Sequence, residues 1–184
     1  MASHEPGRTP TRRIRPAVLG ALVFAGVALA GVVSGQLGGP VRRGLTVFDT
    51  DRPPVANLDP DLLRALRRAA TDAARDGVEI LINSGWRSPV HQERLFRQAV
   101  SKYGSVRKAA RWVATADTSS HVSGRAVDIG PSRAMAWLSR HGAAYRLCQV
   151  YSNEPWHFEL RAKATGKGCP SMYPDPGHDP RTQQ

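Results

Sequence analysis

An aspartate placed inside an apolar strand must be given a partner, and this requirement constrains the chain more than any other feature of its sequence. In "SSHVSGRAVDIGP", residues 119–131, the apolar alternation runs through Ala126, Val127 and Ile129, which sets Asp128 within a buried strand and His121 in the loop before it. A lone carboxylate there is costly or takes up a proton, so the fold has to bring a cation, a cap or a metal to it. Gly124 permits the sharp turn that returns His121 to the side of Asp128.

A second constellation, "NEPWHFEL", puts Glu154 three residues before His157. Pro155 disfavours a helix through Glu154, so the two are not paired on one helical face as in HExxH. The stretch reads as a loop entering a strand, with Trp156 and Phe158 on one face and His157 and Glu159 on the other. His121, Asp128 and His157 together make a nitrogen, oxygen, nitrogen set that suits a catalytic zinc with its fourth position open to water, and Glu154 is then the spare carboxylate. Each residue alone has a plainer reading, a capping Asp or a core His bonded to backbone, and spacing by itself does not decide. A third piece, "SGWRSPVHQERLF", sets Arg87 at a strand-to-helix turn, where its guanidinium can meet a carboxylate or join a surface network with Gln92 and Glu93.

Local signals order the rest. Asp59 as N-cap and Pro60 at the first helical position open a helix with Leu62, Leu66, Ala69 and Ala73 on one face and Gly77 as its stop. "VEILINSGW" reads as a strand, Ser88-Pro89 opens a helix through about Ala99, and Ser105 caps a third over "VRKAARWVATA". After "AVDIG" come a helix over "SRAMAWLSRH" and two paired strands, "YRLCQVY" and "PWHFELR". This order is α+β, preceded by an N-terminal hydrophobic helix. Residues 34–57, rich in Gly, Pro and charge, read as a linker, residues 58–163 as the domain, and residues 164–184 as a turn-rich, loose tail.

The N-terminus carries a different signal. Residues 1–16 are basic, with Arg8, Arg12, Arg13 and Arg15, and an uncharged apolar run follows from Ala17 to Val33. Seventeen helical residues reach about 25 Å, enough to be used as a membrane anchor, and the arginines keep their side in the cytoplasm. The remainder is then exported and anchored at the cell membrane. Ala28-Leu29-Ala30 offers the competing reading, a signal cleaved near Ala30 and a secreted product. Of 26 Lys and Arg, 22 lie beyond Ser34, against 14 of 15 Asp and Glu, so the exported part is itself basic. That balance reads either as an ordinary solvated surface or as a seat for polyanions, which would be anionic lipid or wall polymers rather than nucleic acid, since the export element opposes the latter. Cys148 and Cys169 both lie in that part and form a candidate disulfide; their separation disfavours a zinc pair.

The pieces "SGWRS", "SSHVSGRAVD" and "EPWH", in this order, resemble the VanY-type zinc D-alanyl-D-alanine carboxypeptidases, of the hedgehog-like or LAS metallopeptidase fold, over roughly residues 57–161. The family pattern reads S-G-Y-R-S, then S-x-H-x-x-G-x-A-x-D, then E-x-W-H. The resemblance implies a small antiparallel sheet with helices packed on it and the zinc cleft on the sheet, with His121, Asp128 and His157 holding zinc and Glu154 the general base and then acid. It also implies that Arg87 binds a substrate carboxylate or the developing oxyanion, with Ser119 and Gln92 as further substrate contacts, and that the substrate is a peptidoglycan stem peptide. Trp86 departs from the usual tyrosine and bears on the shape of the pocket wall. A D,D-dipeptidase, an endopeptidase of the same fold and a catalytically silent wall-binding module are the competing functions. His91, His141 and His178 are assigned no role.

Overall fold

A computed structural model describes residues 44–164 and 168–183. The expected N-terminal hydrophobic helix and the anchor run over 17–33 lie outside the described residues, among which no helix is long and apolar enough to cross a membrane.

Two long helices form where the caps predict them. Helix α2, Pro60–Arg75, follows the four-residue α1, Pro53–Ala56; the Asp59 carboxylate accepts from the backbone N–H groups of Asp61 and Leu62, an N-cap worth about 1 kcal/mol. Its Leu62, Ala65, Leu66, Ala69 and Ala73 are buried in a single stripe, the spacing that turns one helical face to a core. Helix α3, Pro89–Tyr103, starts from Ser88, whose hydroxyl accepts from the His91 N–H, and ends on Gly104 at φ +79°. It runs a turn beyond the expected Ala99. The next helix is shorter than expected: α4 covers only Val106–Ala109.

The sheet has four strands, β1 (Leu81–Ser84), β2 (Ala126–Gly130), β3 (Leu147–Gln149) and β4 (His157–Leu160), in the order β1-β2-β4-β3 with every pairing antiparallel. Helix α5, Ser132–His141, connects β2 towards β3. One core joins α2 to the sheet through Leu62, Leu66, Ile82, Val127, Ile129, Leu138, Leu147 and Phe158. The α+β reading with a small antiparallel sheet therefore holds for the described residues.

Three local expectations change. From Gly44 onward the linker is part of the domain: Leu45 bridges to Ile82, and Val47 and Val55 are fully buried. The tail is not loose. Cys148 and Cys169 are disulfide-bonded with Cα atoms 5.6 Å apart, Tyr173 forms a parallel bridge with Tyr151, and Asp175 and Asp179 are buried. Trp156 does not share the core face of Phe158; it precedes β4, stays partly exposed and lines the cleft, because the turn over 154–156 ends only where His157 begins the strand.

Candidate active site

Register carries the chemistry-bearing side chains to one place. Asp128 on β2 pairs with His157 on β4 and with Ser84 on β1, so three neighbouring strands present them in a row. His121 joins them from the preceding loop. Gly124, at φ +71°, makes that turn and brings its own carbonyl to the N–H of Asp59, at 2.9 Å. An added Cβ there would lie 2.5 Å from the Asn57 carbonyl oxygen, so the position also needs glycine for space. The loop is stitched to the end of β1 by three bonds. Gly85 O lies 2.8 Å from His121 Nδ1, the Arg87 N–H donates to His121 O at 3.2 Å, and Trp86 Nε1 donates to Val122 O at 3.0 Å. Trp86, where the family pattern has tyrosine, thus serves as a staple between the two motifs.

His121, Asp128 and His157 are all buried, and one ligand atom from each lies within 4.8 Å of the others. Asp128 Oδ1 is 3.3 Å from His121 Nε2 and 3.3 Å from His157 Nδ1. The partners of the far nitrogens decide what those contacts mean. His121 Nδ1 faces the Gly85 carbonyl and His157 Nε2 faces Glu159 Oε1 at 3.3 Å, so with a cation bound between them each ring would keep its one proton on the outer side. Three lone pairs then converge, and Asp128 Oδ1 is a buried oxygen with no hydrogen-bond donor. Such a point calls for a cation. Burial and the neighbouring carboxylates set the ionisation of the three side chains. Burial lowers His121 below the ordinary imidazole range; it pulls His157 down as well, but Asp128 and Glu159 outweigh it and raise that ring to about 9. Burial would raise Asp128, yet the two imidazoles hold it well below the usual carboxylate range. A two-imidazole, one-carboxylate set with a side open to the cleft fits zinc better than calcium or magnesium, which favour all-oxygen shells.

Glu154 sits at the edge of this group, largely buried, with Oε2 3.9 Å from His157 Nδ1. Burial raises its carboxyl to about 7, with Asp128 adding to the rise and His157 and Arg87 opposing it. A base in that range is poised for proton transfer near neutrality. Glu159, on the outer side of the His157 ring, is the opposite case: burial would raise it, but its bonds to His157 and Arg181 bring it down to about 2.

Arg87 reaches the site with its guanidinium already engaged. Nε donates to Ser84 Oγ at 2.8 Å, one terminal nitrogen to Gln92 Oε1 at 3.2 Å, and the other to Asp128 Oδ2 at 2.7 Å. It orients the carboxylate between the two histidines and itself lines the cleft. Gln92 is fully buried and uses its other end on the Ala114 carbonyl, at 2.8 Å, which makes it a support for Arg87. Ser119 lies buried beside His121 in the cleft wall. The cleft, about 370 Å³, runs from the histidines past Trp156 to Tyr103 and Trp112. Of the other histidines, His178 bonds Asp175 at 2.7 Å in the tail and His141 packs on Trp137. No local sequence signal marks Ser84, the Gly85 carbonyl or Arg181. Glu159 alone carried a signal, its place two residues after His157 on the same strand face.

An antiparallel sheet bearing two histidines and an aspartate around one point, with a carboxylate of raised pKa at the edge, is a metallohydrolase arrangement. Residues 55–163 match the family model described as VanY, D-alanyl-D-alanine carboxypeptidase, and the chain belongs to that family. A D-alanyl-D-alanine carboxypeptidase of Enterococcus faecalis is 30% identical over 113 residues, 47% of this chain and 42% of the relative, so the chain spans less than half of that relative's length. Among solved structures, VanYB in complex with D-alanine-D-alanine is 26% identical with a TM-score of 0.52, covering 56% of this chain and 71% of that one. A mutant of the D,D-pentapeptidase VanY from a VanB-type resistance cassette, in complex with Zn(II), is 25% identical with a TM-score of 0.52, over 56% and 72% of the two chains. The LD-carboxypeptidase LdcB is 26% identical with a TM-score of 0.52, over 58% and 61%.

Proposed function

We propose that this protein is a zinc-dependent D,D-carboxypeptidase that removes the terminal D-Ala from peptidoglycan stem peptides. The observation that carries the reading is the convergence of one donor atom each from His121, Asp128 and His157 on one buried point with Glu154 at its rim. Zn(II) in one similar structure and D-alanine-D-alanine in another support the metal and the substrate. His121, Asp128 and His157 hold the metal. When bound, zinc polarises the scissile carbonyl and makes water a competent nucleophile near neutral pH. Glu154 takes the proton of the attacking water and returns it to the amine of the departing D-Ala. Arg87, fixed by Ser84 and Gln92, turns its remaining N–H groups to the carboxylate of the substrate or to the developing oxyanion. Ser119 contacts the peptide from the cleft wall. The catalytic part works outside the cell, held to the membrane by residues 17–33, where its basic surface meets anionic wall polymers.

The test is mass spectrometry of a muropeptide pentapeptide, and separately of a tetrapeptide, incubated with the zinc-loaded protein. Loss of one alanine from the pentapeptide alone is expected. Cleavage of the tetrapeptide alone would replace the reading with an L,D-carboxypeptidase, release of a dipeptide with a D,D-dipeptidase, and no cleavage of either with a binding module.

A further inference from the structure

The family match ends at residue 163, yet the back of the candidate metal site is completed by a side chain from beyond it. Glu159 is buried and meets the outer nitrogen of His157 with Oε1. Its second oxygen, Oε2, accepts from Arg181 Nη1 at 2.6 Å. Arg161 also approaches that oxygen, at 3.6 Å, but makes no hydrogen bond, so Arg181 supplies the directed contact. Arg181 is in turn fixed. Its Nε lies 3.0 Å from both oxygens of Asp179, Nη2 meets the same carboxylate, and the backbone N–H of Arg181 donates to it. Asp179 is fully buried and accepts from the Tyr151 hydroxyl at 3.0 Å, while the Tyr151 ring packs against His157. The segment is tied down upstream by the Cys148–Cys169 disulfide and by the pairing of Tyr173 with the backbone of Val150 and Ser152.

We infer that Arg181 is a positioning residue for the metal site: through Glu159 it sets the ring orientation and tautomer of His157, so that the C-terminal tail completes a site whose ligands all lie before it. The physical reason is the second oxygen of Glu159. A buried carboxylate with one oxygen on an imidazole rotates or drifts towards other donors unless its other oxygen is held, and outer partners of metal-bound histidines commonly govern affinity by 10- to 100-fold, on the order of magnitude. The inference rests on the zinc reading above.

The test uses the purified full-length chain. Zinc affinity is read by competition with a chromophoric chelator, and site geometry by the visible spectrum of the cobalt-loaded protein. Arg181→Ala is expected to weaken zinc by about 10-fold and to alter the cobalt spectrum, with Arg181→Lys recovering part of both. Arg111→Ala removes a different tail anchor, the 2.8 Å bond to Asp175, and should leave affinity within about twofold. If Arg181→Ala does not fold, Glu159→Gln, which gives up one acceptor oxygen, should weaken zinc in the same direction. Wild-type affinity and spectrum in Arg181→Ala, or in Glu159→Gln where that is the variant available, overturn the inference and leave the zinc reading standing. An equal loss in Arg111→Ala overturns it too, since the effect would then belong to tail docking. Failure of the unaltered chain to take up zinc removes both readings.

Discussion

Gly85→Ala tests the geometry of the site without touching any ligand. An added Cβ at Gly85 would lie 2.0 Å from the Pro54 carbonyl oxygen and 3.0 Å from its carbon. A carbon and a carbonyl oxygen approach no closer than about 3.3 Å in ordinary contact, so the two backbones must part by more than about 1 Å. That movement strains the 2.9 Å bond from the Trp86 N–H to Pro54 O and carries the Gly85 carbonyl away from His121 Nδ1, now at 2.8 Å. Overpacking costs about 1–3 kcal/mol, and a buried hydrogen bond lost adds about 1 kcal/mol or more, for a total near 3 kcal/mol. For a domain of roughly 140 residues this lowers Tm by about 10 °C, and release of the outer nitrogen of His121 weakens zinc by about 10-fold. Thermal unfolding followed by circular dichroism and chelator competition measure the two effects. Gly104→Ala is the control: its φ of +79° penalises alanine, but nothing lies within 4 Å of the new Cβ, so about 1 kcal/mol is lost and zinc affinity is kept. A Gly85→Ala protein with wild-type Tm and wild-type affinity would refute the reasoning.

Glu154→Gln should keep the fold and the metal but lower kcat by at least ~10²-fold; a metal-loaded variant releasing D-Ala at nearly the normal rate would reassign the base. Because burial raises Glu154 to about 7, the base is protonated in acid, so kcat/KM should climb with pH; a bound divalent cation pulls the carboxyl lower and sets the half-maximum at or below that value. Activity greatest near pH 5 and falling towards 7 would count against Glu154. Removing the disulfide by Cys169→Ser opens a link spanning 21 residues and should cost about 3 kcal/mol in the loop-entropy picture, seen as a lower Tm. Two thiols titrating in the denatured protein, purified without reductant, would exclude the bridge.

Features whose signals are local can be read from the order of residues. Asp59-Pro60 and Ser88-Pro89 start helices because an N-cap oxygen and a proline ring act within one turn, and both helices begin there. Asp128 within an apolar alternation announces a buried carboxylate, whereas residue types and spacing leave the ligand set undecided, and only the joint resemblance of three motifs to a known family points to it. How these pieces meet depends on contacts between distant segments. Alternation reports that a strand has two faces but not which strand lies opposite, so the alignment of Ser84, Asp128 and His157 follows only from the order β1-β2-β4-β3. Such contacts also decide that Arg87 grips Asp128, that Gln92 supports Arg87 from inside the core, and that Glu159 and Arg181 stand behind His157. The segments read as linker and tail are irregular, and an irregular chain carries no period to mark its buried residues. Val47, Val55, Asp175 and Asp179 are buried because distant elements cover them, a relation between positions that no local pattern encodes.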